Sequence, residues 1–72
     1  MPFTDLPPGI YQHYKGQLYE VFYCARHSET EEWLVVYQKV EDGSYWVRPL
    51  GMFVDRIAPD GPFRFRRVGA KL

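Results

Sequence analysis

Histidine is the residue type best suited to chemistry at neutral pH, and this chain has two, His13 and His27. An imidazole can act as a general base or bind a metal ion. A metal site would also need cysteines or a spaced set of histidines and carboxylates, and neither histidine has such a set around it. We therefore expect both to be polar residues at strand ends, and we expect no metal ion and no other cofactor.

The segment His27-Ser28-Glu29 contains the residue types of a hydrolytic triad. Consecutive residues rarely fold back on each other with the geometry that a nucleophile and its base require. Capping of a loop, with Ser28 bonding to local backbone N–H groups, explains the segment better. The single cysteine, Cys24, lies within a predicted strand and is expected to be a small buried apolar residue. No catalytic residue is predicted, and a small enzyme centred on His13 and His27 is kept as an alternative.

Aromatic residues make up 18% of the chain and are the largest set that could bind a ligand. If some of them lined one edge of the fold beside Arg48, they would form an amphipathic groove for a peptide, a nucleotide or a modified cation. The competing interpretation is that they form the core that so small a domain needs. The candidate binding residues are Tyr11, His13, Tyr14, His27, Tyr37, Trp46, Arg48 and Phe53.

The C-terminal segment Phe63-Arg64-Phe65-Arg66-Arg67 interleaves aromatic and basic residues. Surfaces that bind single-stranded nucleic acid have this character. An edge strand with arginines on its outer side, which discourage aggregation, has the same pattern. The second interpretation is favoured because the formal net charge of the chain is zero. The nucleic-acid alternative would use Arg64, Arg66, Arg67 and Lys71.

Short runs of aromatic and β-branched residues, separated by turn signals, must position these side chains. The predicted strands are residues 10–14, 18–26, 33–40, 45–48 and 63–68, and residues 54–57 are a further candidate. Asp42-Gly43 is the strongest hairpin signal, and residues 50–53 have room for one 3₁₀ or helical turn. Several short strands with regular turns favour an all-β small barrel of about five strands. We divide the chain into an N-terminal segment (1–8), a single domain (9–68) and a tail (69–72).

Composition limits the class of protein further. Seventy-two residues with 46% hydrophobic content and no net charge fit one folded domain rather than a disordered chain. One cysteine excludes an internal disulfide framework, and the first residues have neither the basic region nor the apolar run of a secretory signal. No stretch reaches the ~20 apolar residues of a membrane span. We therefore expect a cytoplasmic protein.

The chain resembles the small bacterial family catalogued as domain of unknown function 1653. The resemblance rests on Gly9-Ile10-Tyr11-Gln12-His13-Tyr14-Lys15-Gly16, Tyr19, Val21, Ala25-Arg26-His27-Ser28-Glu29-Thr30, Val35-Val36-Tyr37, Trp46-Val47-Arg48-Pro49-Leu50, Met52-Phe53 and Arg64-Phe65. It implies a compact β-rich domain similar to an SH3-like barrel, and it brings no established activity. Residues 66–72 lie beyond the pattern, so the resemblance implies nothing about the basic end of the chain.

These observations favour a non-catalytic interaction module that binds an unknown protein or small-molecule partner. We expect a monomer or a weak homodimer with no membrane partner. A nucleic-acid-binding domain and a small enzyme are the two alternatives. An enzyme needs a concave pocket with converging polar groups, and 72 residues leave little room to build one in a monomer.

Overall fold

The computed structural model describes residues 6–70, which form one five-stranded antiparallel β-sheet and one short helix. In chain order the elements are β1 (Gly9–His13), β2 (Leu18–Arg26), β3 (Trp33–Lys39), β4 (Tyr45–Pro49), α1 (Leu50–Phe53) and β5 (Phe65–Gly69). The order across the sheet is β4-β3-β2-β1-β5. The prediction of an all-β domain with about five strands and one short helical turn is confirmed. No helix in the described part is long and apolar enough to cross a membrane.

The predicted hairpin at Asp42-Gly43 is confirmed and joins β3 to β4. The Lys39 N–H donates to the carbonyl of Ser44, and the Gly43 N–H donates to the carbonyl of Lys39, both at 2.8 Å. Gly43 has a φ of 73°, in the left-handed region that glycine enters without a steric penalty. The connection is thus a four-residue loop, and its last residue must be one that tolerates positive φ.

Replacing Gly43 by Val is expected to lower the free energy of unfolding by about 1–2 kcal/mol, the usual cost of placing a side chain in the left-handed region. A Cβ at this position would meet only Gln38 Nε2, at 3.7 Å, so the backbone conformation rather than a clash sets the cost. Urea denaturation of the two proteins measures the difference. Gly51, where an added Cβ has nothing within 4 Å and φ is not positive, is the control position for a glycine replacement. An unchanged unfolding free energy in the Gly43 variant would contradict the turn assignment.

A bulge bends β2 in its middle. Val21 pairs with Tyr37, but Tyr23 pairs with Val36, so one extra residue, Phe22, is accommodated on the β2 side. A bulge of this kind increases the local twist and bends the strand that carries it. The bend explains why apolar residues occur on both sides of this strand in the sequence.

The core lies on one face of the curved sheet. Its buried residues are Tyr11, Val21, Val35, Tyr37, Phe53 and Phe65. The helix α1 supplies Phe53, whose ring stacks on that of Phe65 with 4.1 Å between centroids. Pro49, with a φ of −54°, is the N-cap of this helical turn, and the turn ends where the Val54 N–H donates to the carbonyl of Leu50. Aromatic rings from one helix and three strands therefore form the centre of the domain.

Closure into an SH3-like barrel is not confirmed, because the sheet is open in the described part of the chain. Its two edges are β4 and β5, and no ladder joins them. They approach through side chains instead: the Arg48 guanidinium lies 5.6 Å from the centre of the Phe65 ring. Phe53 fills the concave space beneath, so aromatic packing occupies the place where a barrel would continue its backbone pairing. Residues 54–57, a candidate strand, contribute a single bridge, Arg56 to Phe63.

Candidate functional site

Three of the candidate aromatics are core residues. Tyr11, Tyr37 and Phe53 are buried, and the rings of Tyr11 and Tyr37 lie 5.5 and 5.4 Å from that of Phe53. The Tyr11 hydroxyl donates to the carbonyl of Pro7 at 2.7 Å, which fixes the segment before β1. Burial raises the pKa of this phenol, with a smaller opposing effect of Arg67. These three residues position the surface and are not available to contact a partner directly.

Trp46, unlike these three residues, is exposed, because it lies on the edge strand β4. Its side chain is 52% exposed, and its neighbours Tyr45 and Val47 are 70% and 59% exposed. The indole Nε1–H donates to Ser44 Oγ at 2.7 Å, and the Ser44 hydroxyl donates to Asp42 Oδ1 at 2.6 Å. Hydrogen bonds from Ser44 to Asp42 lower the pKa of that carboxyl. The hairpin loop thus orients an exposed tryptophan.

The register of the β3–β4 hairpin fixes which backbone groups of β4 face outward. In antiparallel pairs, hydrogen-bonded and non-hydrogen-bonded positions alternate. Since the Lys39 N–H bonds to Ser44, the next bonded pairs are Tyr37 with Trp46 and Val35 with Arg48. The backbone N–H and C=O groups of Tyr45 and Val47 therefore point away from β3. Pro49, which has no N–H, occupies the next outward position and costs the hairpin no hydrogen bond.

The opposite edge, β5, is protected by charge. Arg66 and Arg67 are exposed on it, and such residues discourage strand pairing. The Arg67 guanidinium donates to the carbonyl of Pro8 at 3.0 and 3.1 Å, and Arg66 Nη2–H donates to Gln12 Oε1 at 3.3 Å. The half-buried Arg64 is paired with Asp55, with Nε 2.9 Å from Oδ1. The arginines of the nucleic-acid hypothesis thus have separate partners, and Lys71 lies outside the described residues.

An open apolar cleft of about 760 Å³ lies where β4 ends. The residues that line it are Leu6, Glu32, Trp33, Pro49, Leu50, Gly51, Met52 and Val54. The Arg26 guanidinium covers one side of Trp33, 4.7 Å from the centre of its ring. Because Pro49 belongs both to β4 and to the cleft, the exposed edge strand leads directly into it.

The two histidines do not form a joint site. His13 ends β1 beside the start of β2, whereas His27 follows the last residue of β2, so a nine-residue strand separates them. His27 Nδ1 accepts the N–H groups of Glu29 and Thr30 at 3.0 and 3.2 Å. The loop is therefore capped by His27 and by Thr30, whose Oγ1 accepts the Glu32 N–H at 3.3 Å, whereas the predicted cap, Ser28, bonds to the side chain of Glu29. Within residues 6–70 no group of three or more His, Cys, Asp and Glu could hold a metal ion.

His13 lies among aromatic rings and positive charges. Its ring is 4.6 Å from that of Tyr14 and 5.0 Å from that of Phe65, and its Nδ1 accepts the Lys15 N–H at 3.2 Å. Burial lowers the pKa of His13, and Arg48, Arg64 and Lys15 lower it further. The folded protein therefore favours the neutral imidazole.

We expect NMR titration to give His13 a pKa below the ordinary value of about 6.5. The unfolded chain then binds more protons than the folded one, so this histidine's contribution to stability is complete above about pH 6.5 and is lost as the pH falls through the lowered pKa. Replacing His13 by Gln should flatten that part of the plot of unfolding free energy against pH. A His13 pKa at or above the ordinary value would contradict the prediction.

Sequence patterns missed most of this surface. Tyr45, Val47, Met52 and Val54 were not among the candidate residues, yet they expose apolar side chains around the β4 edge and the cleft. The available signal was Tyr45-Trp46-Val47, three consecutive large apolar residues in a short strand that ends at a proline. A buried central strand can carry such a run too, so the pattern alone does not identify an exposed edge.

Residues 9–67 match the model of a family described as a protein of unknown function, DUF1653. A crystal structure of a DUF1653 protein from Bordetella bronchiseptica is similar, with a TM-score of 0.79, 36% sequence identity and 90% of each chain covered. No curated protein sequence matches. The family match spans most of the chain, and the similar structure shares its fold over nearly the whole length. The resemblance seen in the sequence is confirmed, and the chain belongs to the DUF1653 family.

Proposed function

We propose that this domain is a non-catalytic interaction module that captures an extended segment of a partner protein by strand addition along β4. The observation that carries the proposal is the contrast between the two sheet edges. β5 presents Arg66 and Arg67 beside one exposed apolar residue, Val68, whereas β4 presents three consecutive apolar residues, Tyr45, Trp46 and Val47, all more than half exposed. Charged side chains protect a sheet edge against strand pairing, and Tyr45 to Val47 carry none, so this part of the β4 edge is the one open to a partner strand.

The apolar cleft beside Pro49 favours a partner segment that carries an apolar anchor residue. In strand addition, backbone hydrogen bonds supply affinity, and pockets for alternate side chains supply specificity. The cleft is lined mainly by apolar side chains, and the flexible Met52 at its rim can adapt to different anchors. A partner strand that pairs with Tyr45 and Val47 would place its next residues at the mouth of the cleft.

A partner segment fits this edge better than a second copy of the domain does. If β4 paired with β4 of another copy about Val47, the residue opposite Tyr45 would be Pro49, which has no N–H to donate. Such a pairing would involve only five residues a side, whereas a standard stable interface has about 20–30 residues a side. A peptide that enters the cleft gains contacts that the self-pairing lacks.

The cytoplasm is the proposed location of this interaction. The support is compositional: the chain has a single cysteine, Cys24, which is only partly buried and free in the structure. Small extracellular domains usually depend on disulfides.

Selection from a peptide display library tests the proposed function. We expect the selected peptides to be extended, to contain a large apolar residue, and to perturb the amide signals of residues 45–49 in NMR titrations. Met52→Lys should weaken binding by placing a charge at the cleft, whereas Ile57→Lys is the matched control, since Ile57 is exposed but does not line the cleft. Peptides that bind equally well to both variants, or that perturb β5 instead, would contradict the proposal.

A further inference from the structure

A second pocket, of about 400 Å³, lies at the side of the sheet opposite β4, between the β1–β2 turn and the segment that leads into β5. The lining residues with polar or aromatic side chains are Gln12, His13, Tyr14, Arg56, Phe63 and Arg66. No acidic side chain lines the pocket in the described part of the chain. It combines two guanidinium groups with two half-exposed aromatic rings, a combination that strand addition along β4 does not use.

The two guanidinium groups are held in place and still have donors to offer. The Arg56 guanidinium stacks on the Phe63 ring at 4.2 Å, and its Nη1–H donates to the carbonyl of Gly61 at 2.9 Å. Arg66 is held by its bond to Gln12. A guanidinium carries five N–H donors in a planar fork, so each group keeps donors for an anion. The arrangement reduces the entropy that the arginines would lose on binding.

The surroundings favour a negative charge at this position. The nearest carboxylate along the chain, that of Asp55, is already engaged by Arg64. Lys15 lies in the adjoining turn, and its ammonium group is 5.8 Å from the centre of the Tyr14 ring. Burial is the main cause of the lowered pKa of His13, and the positive charges of Arg48, Arg64 and Lys15 lower it further. An anion that entered the pocket would lower the repulsion among these groups.

We propose that this pocket binds a mononucleotide, with Arg56 and Arg66 on the phosphate and the ring of Tyr14 or Phe63 against the base. Arginine forks match phosphate oxygens, and an aromatic ring stacks on any base. Tyr14 and Phe63 are each close to half exposed, which leaves ring surface for stacking. A nucleotide uses both features of the pocket, whereas a simple carboxylate would use only the arginines.

The neighbouring arginines argue against a longer nucleic-acid strand. A polynucleotide needs a continuous positive track for its backbone. Beside this pocket, Arg64 is neutralised by Asp55, and Arg67 points its guanidinium to the carbonyl of Pro8. Both neighbouring guanidinium groups therefore bond to partners outside the pocket, and the pocket itself suits one nucleotide unit.

Titration of the isotope-labelled protein with AMP, inorganic phosphate and adenosine tests the proposal. We expect AMP to shift the signals of Gln12, Tyr14 and Phe63, to raise the pKa of His13, and to bind more tightly than phosphate or adenosine. Arg66→Gln and Arg56→Gln should each weaken AMP binding at least about tenfold, the effect of losing a charge-assisted hydrogen bond. Arg67→Gln is the matched control and should leave AMP affinity unchanged, because Arg67 is exposed on the same strand but does not line the pocket.

Three results would overturn the proposal. The first is an absence of saturable shifts at the pocket with AMP in the folded wild-type protein. The second is an equal loss of AMP affinity in the Arg66 and Arg67 variants, which would indicate general charge attraction. The third is much tighter binding of a short single-stranded oligonucleotide, with a steep salt dependence. This result would identify the ligand as a nucleic-acid strand rather than a mononucleotide. If the proposed peptide binding at β4 failed, all three of these measurements on the nucleotide pocket would be unaffected.

Discussion

Replacing Val47 by Pro is expected to weaken capture of the partner segment strongly while the domain stays folded. The Val47 N–H faces away from β3, so its removal breaks no hydrogen bond of the sheet. The same change takes away the central donor of the binding edge and leaves a partner carbonyl unsatisfied, which costs about 1–3 kcal/mol. Affinity for a selected peptide should therefore fall by roughly 10- to 100-fold, as isothermal titration calorimetry can measure.

Val47→Thr is the matched control, because threonine keeps the backbone N–H and the β-branched shape. Peptide affinity should stay within about threefold of the wild type, in line with the small effect of most surface substitutions. Thermal unfolding of both variants shows whether the fold survives. Equal peptide affinity in the Pro and Thr variants would exclude strand addition. A wild-type dimer that becomes monomeric in the Pro variant would instead assign the β4 edge to self-assembly.

Local features of this domain were predictable from sequence. Asp42-Gly43 specifies a turn through the backbone freedom of glycine, and the positive φ of Gly43 follows from that. The nine-residue run that became β2 is recognisable by its aromatic and β-branched content. Such signals act within a few residues, so they do not depend on how distant parts of the chain meet.

Strand order across the sheet was not predictable, and it decides which aromatics are exposed. Tyr37 and Trp46 are directly paired across the β3–β4 ladder, yet Tyr37 is 6% exposed and Trp46 is 52% exposed. The difference arises because β3 is an inner strand covered by Phe53, whereas β4 is an edge. Sequence periodicity gives the alternation of side chains along a strand but not the position of that strand in the sheet.

The hydrogen-bond partners of the arginines could not be predicted from the sequence either. Arg67 reaches the carbonyl of Pro8, 59 residues away in sequence, and Arg66 reaches Gln12 across 54 residues. The basic run near the C-terminus looked like one cluster, but consecutive residues of a strand point to opposite faces and meet different neighbours. Arg56 joins the pocket of Arg66 only because the chain turns back between α1 and β5, where an isolated bridge links Arg56 to Phe63.

Phe53 joins the helix to the sheet, and its position makes it the most sensitive residue of the core. Its side chain is 1% exposed, it stacks on Phe65 with 3° between the ring planes, and it contacts the rings of Tyr11 and Tyr37. In an open sheet with one layer of aromatic packing, no second layer can move in to fill a gap at this point. A cavity created here would therefore stay largely unfilled.

Phe53→Ala is expected to lower the free energy of unfolding by about 3–5 kcal/mol, the range for removing a buried phenylalanine. Small domains are stable by only about 0.05–0.15 kcal/mol per residue, which is roughly 4–11 kcal/mol for 72 residues, so this loss removes a large part of the stability. Circular dichroism and urea denaturation measure it. Met52→Ala is the control, because the adjacent Met52 lies on the same helical turn and is 53% exposed; it should change the unfolding free energy by less than about 1 kcal/mol. Equal losses in the two variants would show that α1 does not anchor the core.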